Sequence, residues 1–79
     1  MYFGTFIKKQ RIIMDKSQKD MASYLGIRRQ SISKWENNLS FPSIEHLYEL
    51  SEFLEIPIDE LLKHLKDSKK KKKGESLWH

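Results

Sequence analysis

Four polar side chains with hydrogen-bonding ends share one face of a short helical pattern between residues 28 and 37. They are Arg29, Gln30, Ser33 and Lys34. A guanidinium can donate two bonds to guanine and a carboxamide can pair with adenine, so the set suits base edges in a major groove. Ile32 and Trp35 form an apolar stripe at helical spacing beside them. The pattern therefore predicts a helix that packs on one side and offers base-reading side chains on the other.

A second short helix is predicted just before this one, over about residues 18–25. Ser17 is a good N-cap, and Asp20 follows at the spacing of a capping box. The apolar stripe of this helix consists of Met21, Ala22 and Leu25. Gly26 suits the left-handed turn that ends it. Two short helices joined by a glycine turn are a helix-turn-helix pattern. Periodicity alone leaves an ordinary helical hairpin open as the alternative.

Arg28 stands at the N-cap of the later helix, which is predicted to span about residues 28–37. It offers no short acceptor for the first backbone N–H groups, and a cation there is opposed by the helix dipole. This local mismatch is tolerable if Arg28 binds a phosphate, which we take as its expected role.

Charge is distributed unevenly along the 79-residue chain, whose net charge is +4. Residues 1–34 carry eight Lys or Arg against two Asp, a net of +6. Residues 35–62 carry seven acids and no Lys or Arg, a net of −7. Residues 63–79 carry seven lysines against two acids, a net of +5. The basic first part holds the helix-turn-helix, so an anionic partner is expected there, with ordinary solvated helix faces as the alternative.

Composition argues against several other classes of protein. The chain has no cysteine, and its histidines (His46, His64 and His79) are scattered without a metal-ligand cluster or a nucleophile–base arrangement. An enzyme is therefore not expected, and neither a metal nor another cofactor is implied. The sequence has no apolar run of roughly 18–20 residues and no signal-peptide pattern, which predicts a soluble, cytoplasmic protein.

Three further helices complete an all-α domain predicted over residues 1–66. Helix 1 is expected to begin near Gly4 or Thr5, with Thr5 as its cap, and Ile12 and Ile13 are interpreted as core rather than as a contact surface. Helix 4 is expected to follow a Ser43 cap, with a buried face made of Ile44, Leu47, Leu50, Ser51 and Leu54. Pro57 ends helix 4, and helix 5 is marked by Leu61, Leu62 and Leu65.

A run of five consecutive lysines follows helix 5, within the segment KDSKKKKKGESLWH. Such a run cannot pack together, so residues 67–79 are predicted to be a basic disordered tail. The tail is interpreted as solvated, with contact to DNA phosphates as the alternative.

Three segments in this order and spacing resemble the phage Cro and repressor type of helix-turn-helix domain, the XRE family. They are FGTFIKKQR, SQKDMASYLGIRRQSISKWEN and PSIEHLYELSEFLEIPIDELL. The similarity covers about residues 3–62. It implies a five-helix, lambda-repressor-like DNA-binding domain that binds operator DNA, usually as a homodimer on two half-sites. It also favours transcriptional repression, with association with the nucleoid.

The resemblance assigns roles to individual positions. Base contacts fall to Arg29, Gln30, Ser33 and Lys34, and phosphate contacts to Gln18, Asn37 and Ser40. It also implies a partly buried salt bridge between Arg11 and Glu36, which would hold the helix over residues 28–37, the recognition helix, on the bundle.

A protein-interaction module of the same fold, resembling an antitoxin or antirepressor, is the competing interpretation. Four apolar side chains near the acidic part of the chain are expected to be exposed and to form a partner surface or the homodimer interface. They are Tyr48, Phe53, Ile56 and Ile58. The basic, polar outer face of the helix predicted over residues 28–37 argues against a role in protein binding alone.

Overall fold

The computed structural model describes residues 1–69 and contains five helices within that range. They are α1 (Phe3–Ile13), α2 (Gln18–Leu25), α3 (Arg29–Glu36), α4 (Ile44–Leu54) and α5 (Ile58–Lys69). The predicted all-α, five-helix fold is confirmed. The helix α5 continues three residues beyond the predicted boundary at residue 66, and the rest of the predicted tail lies outside the described residues.

Side-chain caps fix the starts of α2 and α4. The Ser17 hydroxyl accepts a bond from the Asp20 N–H at 2.9 Å, and the Asp20 carboxylate accepts one from the Ser17 N–H at 2.9 Å, which completes the predicted capping box. At α4 the Ser43 hydroxyl accepts from the His46 N–H at 3.3 Å. Gly26 ends α2 in the left-handed region, with φ of 71°. These predictions are confirmed.

The prediction that Thr5 caps α1 is wrong. The helix begins at Phe3, and no side chain next to it in sequence caps it. The Phe3 N–H instead donates to the Ser68 hydroxyl at 2.6 Å, and the Gly4 N–H donates to the Asn38 carboxamide oxygen at 2.9 Å. The first backbone donors of α1 are therefore satisfied by α5 and by the loop between α3 and α4.

Apolar side chains from all five helices and from the loop before α5 form one core. They are Phe3, Ile7, Met21, Ala22, Leu25, Ile32, Trp35, Leu47, Leu50, Leu54, Ile56 and Leu61. The core thus packs α2 and α3 against α1 and α4, and it fixes the angle at which the outer face of α3 is presented.

Three side chains that the sequence assigns to the core lie at the surface. Ile12 is 57 % exposed, Ile13 is 67 % exposed and Ile44 is 65 % exposed. For Ile12 and Ile13 the alternative interpretation, a contact surface, fits their exposure. Helical spacing shows which residues share a face, but it does not show whether another helix covers that face.

The predicted partner surface near the acidic part of the chain is also wrong in part. Ile56 is a core residue with 9 % exposure, and Phe53 and Ile58 are half-buried against the core. Only Tyr48 of the four is mostly exposed, at 57 %. The turn between α4 and α5 directs Ile56 inward, so these four side chains do not form one apolar surface.

Candidate nucleic-acid interface

The helix α3 has one buried and one accessible face. Ile32, Trp35 and Glu36 are buried. The four predicted base-contacting residues lie on the accessible side: Arg29, Gln30 and Lys34 are exposed, and Ser33 is half-buried. The helix therefore presents two cations, a carboxamide and a hydroxyl to an external partner.

A buried ion pair joins the end of α3 to α1. Arg11 Nε donates to Glu36 Oε2 at 2.7 Å, and Arg11 Nη2 donates to Glu36 Oε1 at 3.1 Å. Arg11 Nη1 also donates to the Lys16 carbonyl oxygen at 2.7 Å. Both residues are under 10 % exposed. The salt bridge that the resemblance implies is thus present with two-pronged geometry, and it fixes α3 relative to both α1 and the turn before α2.

Gln18 connects this ion pair to the outer face of α3. Its Nε2 donates to Glu36 Oε1 at 2.9 Å, and its Oε1 accepts from Arg29 Nη1 at 3.2 Å. Both ends of the carboxamide are therefore engaged, which fixes its orientation. A continuous chain of hydrogen bonds runs from Arg11 through Glu36 and Gln18 to Arg29, so the arginine on the accessible face is positioned by a contact with the bundle.

The N-terminus of α2 combines backbone donors with nearby cations. The Ser17 N–H and then the Ser17 hydroxyl lower the pKa of the Asp20 carboxyl, and Lys16 and Lys19 contribute in the same direction. Asp20 is therefore ionised at neutral pH and serves the cap. Lys16 and Lys19 are exposed beside Gln18, so the surroundings of this helix start are positive.

Three predicted phosphate contacts lie at the two ends of α3. Arg28 is exposed, has an extended backbone and precedes the first residue of the helix, where its side chain makes no cap. Asn37 follows the last residue, and its Nδ2 donates to the Ser33 carbonyl oxygen at 3.0 Å and to the Ser33 hydroxyl at 3.4 Å. Ser40 is half-buried in the loop that follows. Asn37 thus contacts a predicted base-reading residue, whereas Arg28 and Ser40 flank the helix.

Two contacts of the candidate interface could not be predicted from the sequence: the bond from Gln18 to Glu36 and the bond from Arg29 to Gln18. Their partners are 18 and 11 residues apart, and no local pattern pairs them. The Lys16 carbonyl, which accepts from Arg11, is likewise a backbone group that carries no signal in the sequence.

Two classes of site are not found in the described part of the chain. Among residues 1–69, no three His, Cys, Asp or Glu side chains gather in a way that could hold a metal ion. Within the same range, no helix has the length and apolarity that a membrane crossing requires.

Comparison with known proteins gives consistent matches. A helix-turn-helix family model matches residues 7–61. The chain is 36 % identical over 62 residues to the HTH-type transcriptional activator BcrR of Enterococcus faecalis, covering 78 % of this chain and 30 % of BcrR. It is 38 % identical over 55 residues to the cryptic phage CTXphi transcriptional repressor RstR of Vibrio cholerae, covering 70 % of this chain and 49 % of RstR. The chain thus spans half or less of the length of these two relatives.

A solved structure with the same architecture is the P22 c2 repressor in complex with synthetic operator 9T. The two chains superpose with a TM-score of 0.77 at 30 % sequence identity, over 81 % of this chain and 97 % of that chain. The likeness therefore extends over nearly the whole length of the repressor chain in that complex.

Proposed function

The chain belongs to the XRE-type helix-turn-helix family of DNA-binding transcriptional regulators, and we propose that it represses transcription by binding a specific double-stranded operator through α3. The observation that carries the proposal is the accessible face of α3, which offers base-reading side chains beside the fixed Gln18 carboxamide. The direction of regulation is taken from RstR and the P22 c2 protein, both named as repressors. The protein would act in the cytoplasm, associated with the nucleoid.

Phosphate contacts would set the orientation of the domain on DNA. Gln18 lies at the N-terminus of α2, where backbone N–H groups and the helix dipole favour an anion. Arg28 would bind a phosphate at the start of α3, and Asn37 and Ser40 would bind one beyond its end. Such contacts supply much of the affinity and carry no sequence information.

Base contacts from α3 would then select the sequence. Arg29 spends one Nη1 donor on Gln18, and the rest of its planar fork remains available to the O6 and N7 atoms of guanine. Gln30 is exposed and can pair with adenine through both ends of its carboxamide. Lys34 would favour guanine as a single point donor, and the short Ser33 hydroxyl would tolerate several bases.

We further propose that the chain binds as a homodimer on two related half-sites. In this class of domain, dimers place their recognition helices about one helical turn of DNA apart, roughly 34–36 Å. Selection of bound sites from random DNA would report both the half-site sequence and the spacing. A selected pool without a paired half-site would contradict the dimer, and failure to enrich any sequence would contradict sequence-specific binding.

Arg29→Ala and Gln18→Ala test whether Arg29 contacts a base and Gln18 contacts a phosphate. We expect Arg29→Ala to lose about 1–3 kcal/mol of discrimination at one base pair while binding to other sites changes little. Gln18→Ala should weaken every site, because it removes a phosphate contact shared by all of them. Titration of both variants against a panel of single-base operator variants separates the two patterns, and equal effects from both would contradict the assignment.

The hydrogen bond between Gln18 and Arg29 also predicts how the two substitutions combine in their effect on operator affinity. Since Gln18 also orients Arg29, the two substitutions should be non-additive in their effect on the preferred operator, and additive on an operator that lacks the guanine. A regulator that worked only by holding another protein would show neither pattern, and its operator affinity would not respond to either change.

A further inference from the structure

An open groove lies beside the first turns of α4, and none of the residues assigned to DNA lines it. It is lined by Leu25, Ile44, Glu45, His46, Tyr48 and Glu49 and has a volume of about 540 Å³. That volume falls within the roughly 300–1,000 Å³ of pockets that hold small ligands, so it can accept a large apolar side chain.

The lining of the groove combines apolar surface with negative charge. Ile44 is 65 % exposed and Tyr48 is 57 % exposed, and they lie one turn apart on α4, so together they present a continuous apolar strip. Glu45 and Glu49 lie beside this strip with the same spacing. The groove therefore fits a partner that joins apolar side chains to cations.

The segment that follows α5 has this chemistry. Residues 70–73 are four lysines, and Leu77 and Trp78 follow them within five residues. Residues 35–62 carry seven acids and no Lys or Arg, so the cations that could neutralise the strip around α4 must come from another part of the chain or from another molecule. We propose that residues 70–79 dock in this groove, with Leu77 and Trp78 against Ile44 and Tyr48.

The end of α5 lies close enough to the groove for this segment to reach it. Ser68 is in contact with Phe3, whose ring centroid is 6.3 Å from that of Phe41. Phe41 precedes Ile44 by three residues, which is at most about 11 Å of chain. Eight residues lie between Lys69 and Trp78, and a fully extended chain spans roughly 30 Å from one to the other. The reach of the segment is therefore comparable with the length of this path from Ser68 to Ile44.

Docking of this segment goes beyond DNA recognition and does not depend on it. It would occupy the apolar strip on α4 and would place the lysine run against the acidic part of the same molecule. The lysines would then be engaged by carboxylates instead of by DNA.

A paramagnetic label placed in the segment tests the proposal on the full chain. The sequence has no cysteine, so His79→Cys gives a single attachment site for a nitroxide. In the ¹⁵N-labelled full chain we expect the amide signals of residues 44–49 to lose most of their intensity, and to recover it when the nitroxide is reduced. If the amide signals of these residues keep their intensity, or if the loss is spread evenly over the surface, the proposal is overturned.

Two charge variants make the result specific to the groove. Glu45→Gln/Glu49→Gln removes two negative charges from the lining and should abolish most of the broadening. Glu55→Gln/Asp59→Gln removes the same net charge outside the lining, including an acid in the first turn of a helix as Glu45 is, and should leave the broadening unchanged. Equal loss in both variants would mean general attraction between charges, which contradicts docking in the groove.

A mixed sample excludes docking between molecules. Nitroxide-labelled chain without ¹⁵N is mixed with ¹⁵N-labelled chain without nitroxide. The proposal expects no selective broadening at residues 44–49 in this sample. Broadening there would show that the segment of a second copy occupies the groove, and would overturn docking within one chain.

Discussion

At the scale of single residues, the Glu36 carboxylate joins the end of α3 to both α1 and α2. It is buried, and it accepts bonds from Arg11 and Gln18. Removing an ionised group from water is costly, and here that cost is offset by a two-pronged cation and a carboxamide. The arrangement holds the end of α3 and, through Gln18, the side chain of Arg29 near its start.

Arg11→Met should destabilise the domain by about 3–5 kcal/mol, because it leaves the Glu36 carboxylate buried without its cation. Arg11→Met/Glu36→Met should recover most of this loss, since an apolar pair has no charge to desolvate. Lys9→Met, an exposed change on the same helix, serves as the control and should have little effect. Urea unfolding of the four proteins measures these differences. A double variant as unstable as the single one would contradict the role given to the charge.

Acid should weaken the start of α2 through Asp20. The Ser17 N–H lowers the pKa of this carboxyl in the folded protein, below an ordinary Asp pKa of about 3.9. Its contribution to stability is therefore present at neutral pH and is lost as the pH falls through the folded-state pKa. Thermal unfolding of the native chain and of Asp20→Asn should differ at pH 7 and converge in that acidic range. A difference that is independent of pH would contradict the assignment to the ionised carboxylate.

At the scale of helices, the sequence predicts caps whose two partners are close in sequence. It does not predict which helix ends and faces are contacted by distant parts of the chain. The Ser17–Asp20 box and the Ser43 cap are visible in the sequence because their partners lie three residues away. The start of α1 is not visible, because its N–H groups bind Ser68 and Asn38, which are 65 and 34 residues distant. Likewise, the exposure of Ile12 depends on which helices fail to cover it, and periodicity carries no information about that.

The same distinction applies to the candidate site. The outward positions of α3 follow from their spacing and from the need to bury Ile32 and Trp35. The link between Gln18 and Glu36 joins residues on two helices, so it depends on how those helices cross. Sequence alone could therefore identify the side chains of the interface but not the bonds that orient them.

Contact between α1 and the end of α3 requires glycine at residue 4. A Cβ at Gly4 would overlap the Trp35 carbonyl oxygen and lie 2.7 Å from that of Glu36. Because both atoms belong to the backbone, Gly4→Ala must push the two helices apart, and we expect a loss of about 1–3 kcal/mol. Thermal or urea unfolding measures it, with Thr5→Ala, an exposed neighbour on the same helix, as the control.

Substitutions at Gly26 show whether helix contact or backbone strain explains the loss of stability expected for Gly4→Ala. A Cβ there meets nothing within 4 Å, but the residue has φ of 71°, which costs an ordinary residue about 1–2 kcal/mol. Asn tolerates this conformation, so Gly26→Asn should be milder than Gly26→Ala. Gly4→Asn should be no milder than Gly4→Ala. If Asn were better tolerated at residue 4 as well, backbone strain and not helix contact would explain the effect of Gly4→Ala.

At the scale of the whole molecule, charge separates two surfaces. The basic part of the chain before α3 ends carries the candidate DNA interface, whereas the acidic residues are concentrated on α4 and the start of α5. A polyanion such as DNA is attracted to the first surface and repelled by the second, which favours one orientation of approach. The lysine run that follows α5 can act on either surface, and salt dependence distinguishes the two.

Replacing Lys70, Lys71, Lys72 and Lys73 with Gln should leave the salt dependence of operator binding unchanged. The substitutions spare Ser68, whose hydroxyl accepts a bond from the Phe3 N–H at the start of α1, whereas a truncation from residue 67 would remove this contact. Each phosphate that a cation neutralises contributes about 0.9 to the slope of log Kobs against log salt concentration. Lysines held against the acids of α4 release no counterions from DNA and should contribute nothing.

Arg28→Gln is the matched control for this measurement, because it removes one cation assigned to a phosphate. Its slope should become shallower by about 0.9, the change expected for a single phosphate contact. If the lysine substitutions instead reduce the slope by about 0.9 for each residue, the run binds DNA directly and the division of the molecule into two surfaces is wrong. If Arg28→Gln leaves the slope unchanged, the phosphate contact assigned to Arg28 at the start of α3 is wrong. Gln18 would then have to fix the position of α3 along the DNA without Arg28.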